Sequence, residues 1–541
     1  MTSPHEVFNQ PPILEDWNLY TSDPVLQDAV ERYGATWATP TLETFGGVIG
    51  SRQTLEWADE ANRNEPELRA FDRYGHRIDE VDYHPSYHRL MSLAVEHGIH
   101  SMPEEPGKEA RHAARAALFF LDAQVELGHG CPISMTYAVL PVLRHEPDLA
   151  AEWEPRILSR TYDRRFIPPE DKDGVIAGMT LTEKQGGSDL RANTTTAEPL
   201  GDGWYRVTGH KWFCSAPMSD AFVITAQAPG GLTTFWLSRW FEGQRNGFHI
   251  QRLKDKMGNR SNASSEIELE GAIVRRIGDE GMAVKTISQM LHRTRFDCVV
   301  GSAALMRRSL TEAAHHTRHR SAFGKPLFEQ PLMANVVADL VVESEATLAL
   351  MMRLAASFDG EGDPQEDAFR RIALSVGKYW AGKRGPIHVG EALESLGGMG
   401  YVEEGPLARM YREAPLYGIW EGSGNVICLD VLRSINKDPA TAEAFIAEIK
   451  KASGADANLD AAIDTVVDMI NNAGDAQTDA RRLVEAMAIA LEGSLLARHG
   501  PPEISDAFIA TRVAGDHGST FGTMPSSLPI ARLVDRAPTP A

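Results

Sequence analysis

Residues 203–215 read GWYRVTGHKWFCS, and the fold turns on whether this run is a strand. Its β-branched and aromatic residues suit a pleated surface, and GDG at 201–203 is a hairpin turn signal. Four similar runs lie around it: VIAGMTLTE (175–183), DAFVITAQA (220–228), LTTFWLSR (232–239) and SSEIELEGA (264–272). Each is short and bounded by Gly, Asp or Pro, so together they predict an antiparallel sheet or barrel confined to one stretch of chain.

Outward from that stretch the pattern is helical. DPVLQDAVERYGA (23–35) offers Asp23 as an N-cap and Pro24 at the first helical position. RHAARAALFFLDAQVELGHG (111–130) has helix-period apolar residues, and residues 22–168 show no strand alternation of any length. DYHPSYH (82–88) reads as a turn. Residues 282–320 are long enough for one extended helix, with further long helices to about residue 436. Helices, then strands, then helices is a segregated arrangement, which disfavours a Rossmann unit. GGMGYV (397–402) follows no predicted strand and reads as a helix-ending turn. Three amphipathic helices (438–452, 457–473 and 479–500) form an extension ending in a Pro- and Ser-containing tail. The reading is a mainly α chain with a central antiparallel β-domain, divided at 1–178, 179–280, 281–440 and 441–541.

Composition narrows the class. The 541 residues are 43% hydrophobic and 24% charged, an ordinary globular balance. The start, MTSPHEVFNQPP, lacks the cationic and apolar regions of a secretory signal, and no apolar run approaches a membrane span. Four scattered cysteines without a CxxC pair favour reduced thiols in the cytoplasm. A net charge of −21 repels phosphate backbones on average.

Four segments carry candidate chemistry. In MTLTEKQGGSDL (179–190), Thr182, Ser188 and Asp189 around two glycines offer hydroxyls and open amides to a flavin edge or diphosphate, or form only a polar turn. In GHKWFCSAP (209–217), Trp212 and Phe213 before Ser215 suit a flat heteroaromatic ring, or ordinary strand packing. RSAFGKPLFEQPL (320–332) places Arg320, a phosphate-favouring residue, before Phe323, Gly324 and Gln330, or is a surface loop. YGIWEGSGNVICLD (417–430) sets Glu421 behind an indole and before a Gly-Ser-Gly turn, either as a base kept from bulk water or as a solvated carboxylate at a helix start. His315, His316 and His319 have helical spacing but no nearby carboxylate, so no metal site is expected.

Taken in order, TE…GGSD, KWFxS, RxxFGKPL, LGGMGY and WEGSGN resemble the acyl-CoA dehydrogenase family over about residues 80 to 436. VFNQPP, TEKQGGSD, KDKMGNRSNAS, TRFD and IWEGSGN look like its AidB-like branch. The resemblance implies an α-domain, a β-barrel-like domain and a four-helix α-domain, one FAD per subunit, and a homotetramer. It implies that Met179, Thr182, Gly187, Ser188, Phe213, Cys214, Ser215, Trp420, Gly422, Ser423 and Asn425 contact the cofactor. Arg320, Phe323 and Gln330 would hold the FAD of a neighbouring subunit, with Gly397 and Gly398 near the adenosine end. Phe213 and Ser215 stand where most of the family has tryptophan and threonine, Gln330 comes one residue early, and Glu394 replaces a glutamine.

Glu421 falls on the family's catalytic base, which takes the α-proton of an acyl-CoA thioester while flavin N5 accepts the β-hydride. The other family position for a base is Thr294 here, before Arg295, and threonine is not a strong base. Ser215 and Arg295 are expected near the substrate. The same likeness raises a second reading, a DNA-associated flavoprotein protecting against alkylation. Duplex contact needs Lys and Arg on phosphate, whereas residues 441–541 carry 8 Lys and Arg against 14 Asp and Glu. DNA is therefore disfavoured as a partner.

Overall fold

Asp23 Oδ1 accepts from the Leu26 amide at 3.1 Å, with Pro24 at the first helical position, and so starts α1 (Pro24–Arg32). The computed structural model describes residues 5–474 and 476–539. After α1 come α2 (Thr39–Ile49) and α3 (Arg52–Arg63), a hairpin of β1 (Glu67–Phe71) and β2 (Arg77–Asp82), then α4 (Pro85–Glu96), α5 (Arg111–Ala123), α6 (Gly130–Leu143) and α7 (Pro147–Ile157). The strand-rich stretch holds β3 (Ala177–Thr180), β4 (Thr196–Gly201), β5 (Trp204–Ser215), β6 (Ala221–Ala228), β7 (Gly231–Ser238), β8 (Trp240–Phe241), β9 (Gln244–Arg245), β10 (Phe248–Leu253) and β11 (Ser264–Ile277). Helices return with α8 (Ala283–Thr286) and α9 (Ser288–His319), a hairpin β12 (Ser321–Ala322) and β13 (Lys325–Pro326), then α10 (Pro331–Asp359) and α11 (Pro364–Ser395). The chain continues through α12 (Gly398–Tyr401), α13 (Pro406–Glu413), α14 (Gly424–Lys437), α15 (Pro439–Ile449), α16 (Ala457–Asn471), α17 (Ala480–His499), α18 (Pro502–Phe508) and α19 (Ile530–Val534).

The described residues fall into two compact units. One holds the chain up to Arg52, Lys108–Val125 and everything from Cys298 onward; the other holds Gln53–Gly107 and Glu126–Asp297. In the second unit, β11, β5, β4, β6 and β7 pair in a closed ring, with β10 on β11 and β3 on β6. Pairing is mostly antiparallel, and GDG makes the expected β4–β5 turn with Asp202 and Gly203 at positive φ. The sheet is nevertheless mixed, because β3 and one residue pair of β4 run parallel to β6. Phe222, Ile224, Phe235, Val274 and Ile267 fill its core, while α6 and α7 cover β3 and β7 with a second core that includes Leu140, Trp153 and Trp236.

Two expectations need correction. Residues 22–168 do contain strands: β1 and β2 pair antiparallel, and Asp79 Oδ1 accepts from the Ile250 amide at 2.8 Å while Arg77 donates to the Ile250 carbonyl at 2.8 Å. These cross-links dock the hairpin beside β10. DYHPSYH is not a turn, because Pro85 occupies the first position of α4 and the His84 ring caps the Ser86 amide.

In the first unit, α10, α11 and α14 are joined by the extension, whose α15 packs on α11 and α14 and whose α17 packs on α10, α11 and α14. Arg353 on α10 sits in a bidentate pair with Glu366 at 2.9 Å and another with Glu448 of α15 at 2.9–3.0 Å, and Glu448 also accepts from Arg498 at 2.8 Å. Arg384 and Arg512 share Glu343, and Trp380 donates to Glu492 at 2.9 Å. The four cysteines are all buried: Cys131 and Cys214 in one unit, Cys298 and Cys428 in the other. Among the described residues no helix is long and apolar enough to cross a membrane, and no cluster of His, Cys, Asp and Glu is shaped for a metal ion.

Candidate active site

β3 carries the chain into the loop that begins TEKQGG. Glu183, fully buried, anchors it: Lys211 of β5 donates to Glu183 at 2.9 Å, and the Thr194 and Thr195 amides donate at 2.6 and 3.3 Å. Burial works to raise the Glu183 pKa, but Lys211 and these donors hold it down at about 2. Lys211 also donates to the Thr225 carbonyl at 2.8 Å, so one ion pair ties the loop to β5 and β6.

Above that anchor, the Trp212 amide donates to the Thr182 carbonyl at 2.8 Å and Thr180 Oγ1 to the Phe213 carbonyl at 3.2 Å. Thr182, Gly187 and Phe213 are thereby brought together at the ends of β3 and β5. A Cβ on Gly187 would lie 2.5 Å from Thr182 Oγ1, so only glycine lets the loop pass this close. Ser188 is exposed, Met179 is half-buried, and the Phe213 ring is 52% exposed although it stands on a strand. Lys254 lies 3.5 Å from the centroid of Trp212 and 4.8 Å from that of Phe213. Ser215 Oγ is 3.3 Å from Ser264 Oγ. Cys214 turns its side chain into the sheet core, where burial pushes its thiol up to about 12, and its carbonyl accepts from Ser265 Oγ at 3.0 Å. On α9, Thr294 bonds its own helix at Met290 and is buried, and Arg295 is half-buried.

The other expected residues belong to the first unit and form three groups. Arg320 leads into β12, and the β12–β13 turn places Phe323 and Gly324 at φ of 53° and 86°. Phe323 is 99% exposed, and Gln330 braces the hairpin by donating to the Ala322 carbonyl at 2.9 Å. Gly397, at φ 60°, follows α11 together with Gly398, and a Cβ on either would meet nothing within 4 Å.

The third group is the elbow between α13 and α14. Tyr417 packs so closely on α9 that a Cβ on Gly301 would lie 2.2 Å from its ring, and a Cβ on Gly382 of α11 would lie 3.1 Å from the Gly418 Cα. Trp420 meets Tyr417 edge-on at 6.2 Å. Glu421, half-buried, then adopts φ 58° and Gly422 φ 110°, turning the chain into α14. Lys378, buried on α11, donates to the Gly422 carbonyl and holds the turn. Ser423 is the N-cap residue, and Asn425 Oδ1 accepts from Arg481 of α17 at 2.9 Å. Further along α14, Arg371 grips Asp430 bidentately at 2.8 and 2.9 Å.

Sequence reasoning overlooked Glu183, Lys211, Lys378 and the bond from Arg481 to the elbow. Glu183 and Lys211 lie inside the quoted motifs, and a lysine at an inward position of a strand was the signal available. Lys378 gave none, since a lone lysine on a helix reads as solvated.

Residues 9–164 match the model of the adaptive response protein AidB N-terminal domain, residues 178–272 the acyl-CoA dehydrogenase middle domain, and residues 279–436 the acyl-CoA dehydrogenase C-terminal domain. AidB of Escherichia coli (strain K12), provisionally named an acyl-CoA dehydrogenase, is 45% identical over 85% of this chain and 85% of its own. Acyl-CoA dehydrogenase family member 11 of Caenorhabditis elegans is 31% identical over 77% of this chain and 70% of its own. The crystal structure of Caenorhabditis elegans ACDH-11 in complex with C11-CoA superposes with a TM-score of 0.87 at 26% identity, covering 99% of this chain and 97% of that one. The chain belongs to the acyl-CoA dehydrogenase family, in its AidB-like branch.

Proposed function

We propose that this protein oxidises an acyl-CoA thioester to the trans-2-enoyl thioester with FAD as cofactor and Glu421 as base. One observation carries the reading: Glu421 is held at φ 58° between Trp420 and Gly422, on a turn braced by buried Lys378. A non-glycine residue in that conformation costs about 1 kcal/mol, and strain of this kind clusters at active sites and ligand clamps.

Proteins of this family bind FAD, and the residues here fit it. Gly187 passes close to Thr182, Phe213 offers an exposed ring, and Gly397 and Gly398 leave open backbone. On the family likeness, Met179, Thr182, Gly187, Ser188, Phe213, Cys214 and Ser215 would contact the flavin, as would Trp420, Gly422, Ser423 and Asn425. Arg320, Phe323 and Gln330 would reach the FAD of a neighbouring subunit in a homotetramer; an almost fully exposed phenylalanine on a strained turn supports such a contact. FAD, when bound, supplies the two-electron acceptor for the β-hydrogen. Glu421 accepts the α-proton, its own amide donates to the thioester oxygen, Ser215 and Arg295 line the substrate, and Trp420 keeps water from the carboxylate.

The test is anaerobic addition of acyl-CoAs to the purified flavoprotein while its visible absorbance is recorded. The complex of ACDH-11 with C11-CoA puts chains near that length first in the panel. Bleaching by one class of thioester supports the reading, and a flavin spectrum unchanged by any thioester overturns it. The domain model for the adaptive response favours a second reading, a DNA-associated protective flavoprotein. Its basic footing is thin, since Arg481 of the extension's Arg481-Arg482 pair is engaged by Asn425. Retardation of duplex DNA that weakens with salt would support it.

A further inference from the structure

The segment VFNQPP (Val7–Pro12) has no part in the chemistry above, yet it is fastened to the hairpin that carries Arg320 and Phe323. Asn9 makes a reciprocal pair with the Ser321 backbone: its Nδ2 donates to the Ser321 carbonyl at 2.9 Å, and its Oδ1 accepts from the Ser321 amide at 2.7 Å. Its side-chain amide thus occupies the place of a pairing strand. Its main chain completes the attachment, because Arg320 Nη1 donates to the Asn9 carbonyl at 2.9 Å. Three residues on, the Pro12 carbonyl lies 2.8 Å from His315 Nε2. Asn9 itself is at φ 56°, a conformation asparagine tolerates better than most side chains.

We propose that Asn9 is a positioning residue for cofactor binding: it clamps the Arg320 hairpin and fixes one edge of the guanidinium, leaving the remaining donors for a phosphate oxygen. Guanidinium carries five N–H donors, and one is spent on Asn9. Arg320 makes no ion pair among the described residues, so no carboxylate competes for the rest. A long side chain at the edge of a two-residue strand is otherwise free to rotate, and holding it in advance removes an entropic cost from binding. This inference rests on the reading of Arg320 as a contact to the FAD diphosphate.

The test measures FAD dissociation constants by flavin fluorescence on full-length apoprotein, for Asn9→Ala, Asn9→Gly and Arg320→Ala, alongside the apoprotein's thermal midpoint. Asn9→Ala is expected to weaken FAD binding about tenfold or more, as loss of a preset charge-assisted contact does, with the midpoint unchanged. Both variants keep the main-chain carbonyl and lose the side-chain amide, but glycine tolerates the positive φ that alanine strains, so Asn9→Gly is expected to fall between Asn9→Ala and the parent. Unchanged FAD affinity in Asn9→Ala while Arg320→Ala weakens it would overturn the clamp and leave the Arg320 reading standing. Unchanged affinity in Arg320→Ala would overturn that reading, and the clamp with it. A midpoint that falls in step with affinity would assign Asn9 to general folding and overturn its positioning role.

Discussion

Glu421 and Phe323 both occupy the left-handed region that glycine prefers, at φ 58° and 53°. Replacing Glu421 by Gln keeps the size and the turn while removing the base, so FAD affinity should stay within about threefold and thioester bleaching should disappear. Near-normal bleaching in that variant would mean the proton goes elsewhere. Phe323→Gly relieves strain at an exposed ring with no packing to lose. Chemical denaturation should then show the fold stabilised by about 1 kcal/mol, while FAD binding weakens if the ring meets a neighbouring subunit. His388 supplies a pH dependence. Burial lowers its pKa from 6.5 to about 4, with Ser309, the Leu340 carbonyl, Glu343, Arg384 and Arg512 around it. Between these values the unfolded chain binds the proton and the folded one does not, so stability falls as pH drops from about 6.5 to about 4. Denaturation midpoints across that range should flatten in His388→Gln; an unaltered slope would assign the effect to other groups, His88 and His316 among them, whose pKa values burial also lowers to about 4.

Among the elements, the loop after β3 makes the sharpest prediction. Gly187→Ala should weaken FAD binding about tenfold through its clash with Thr182 Oγ1, and Thr182→Ala in the same chain should recover part of the loss by making room. No recovery would mean the loop's trouble lies elsewhere. The same loop shows what was legible in the sequence. β5 could be read from its aromatic and β-branched run and from GDG, because those features act locally. The β1–β2 hairpin could not, since RIDEVD carries four charges and its strands bury little, being held by Asp79 and Arg77 against β10. Nor could the parallel pairing of β3 with β6, which is chosen by tertiary neighbours rather than by either strand's pattern. The elbow announced Glu421 through its motif, but not Lys378, whose role exists only once α11 lies beside Gly422.

At the scale of the molecule, the extension is built into the helical unit by ion pairs. Glu448 receives Arg353, Arg498 and Lys451, so Glu448→Ala would leave Arg353 half-compensated in a buried place. A loss of about 3 kcal/mol or more in unfolding free energy is expected, read by denaturant titration, and a change under about 1 kcal/mol would show the network to be solvated. The buried cysteines have a practical consequence. Each unit carries two thiols shielded from reagent, Cys131 and Cys214 in one, Cys298 and Cys428 in the other. Alkylation by a small maleimide can therefore proceed only as fast as a unit opens. Peptide mapping of a timed labelling reaction would supply two independent clocks, reporting whether the strand-rich unit and the helical unit come apart together or in turn.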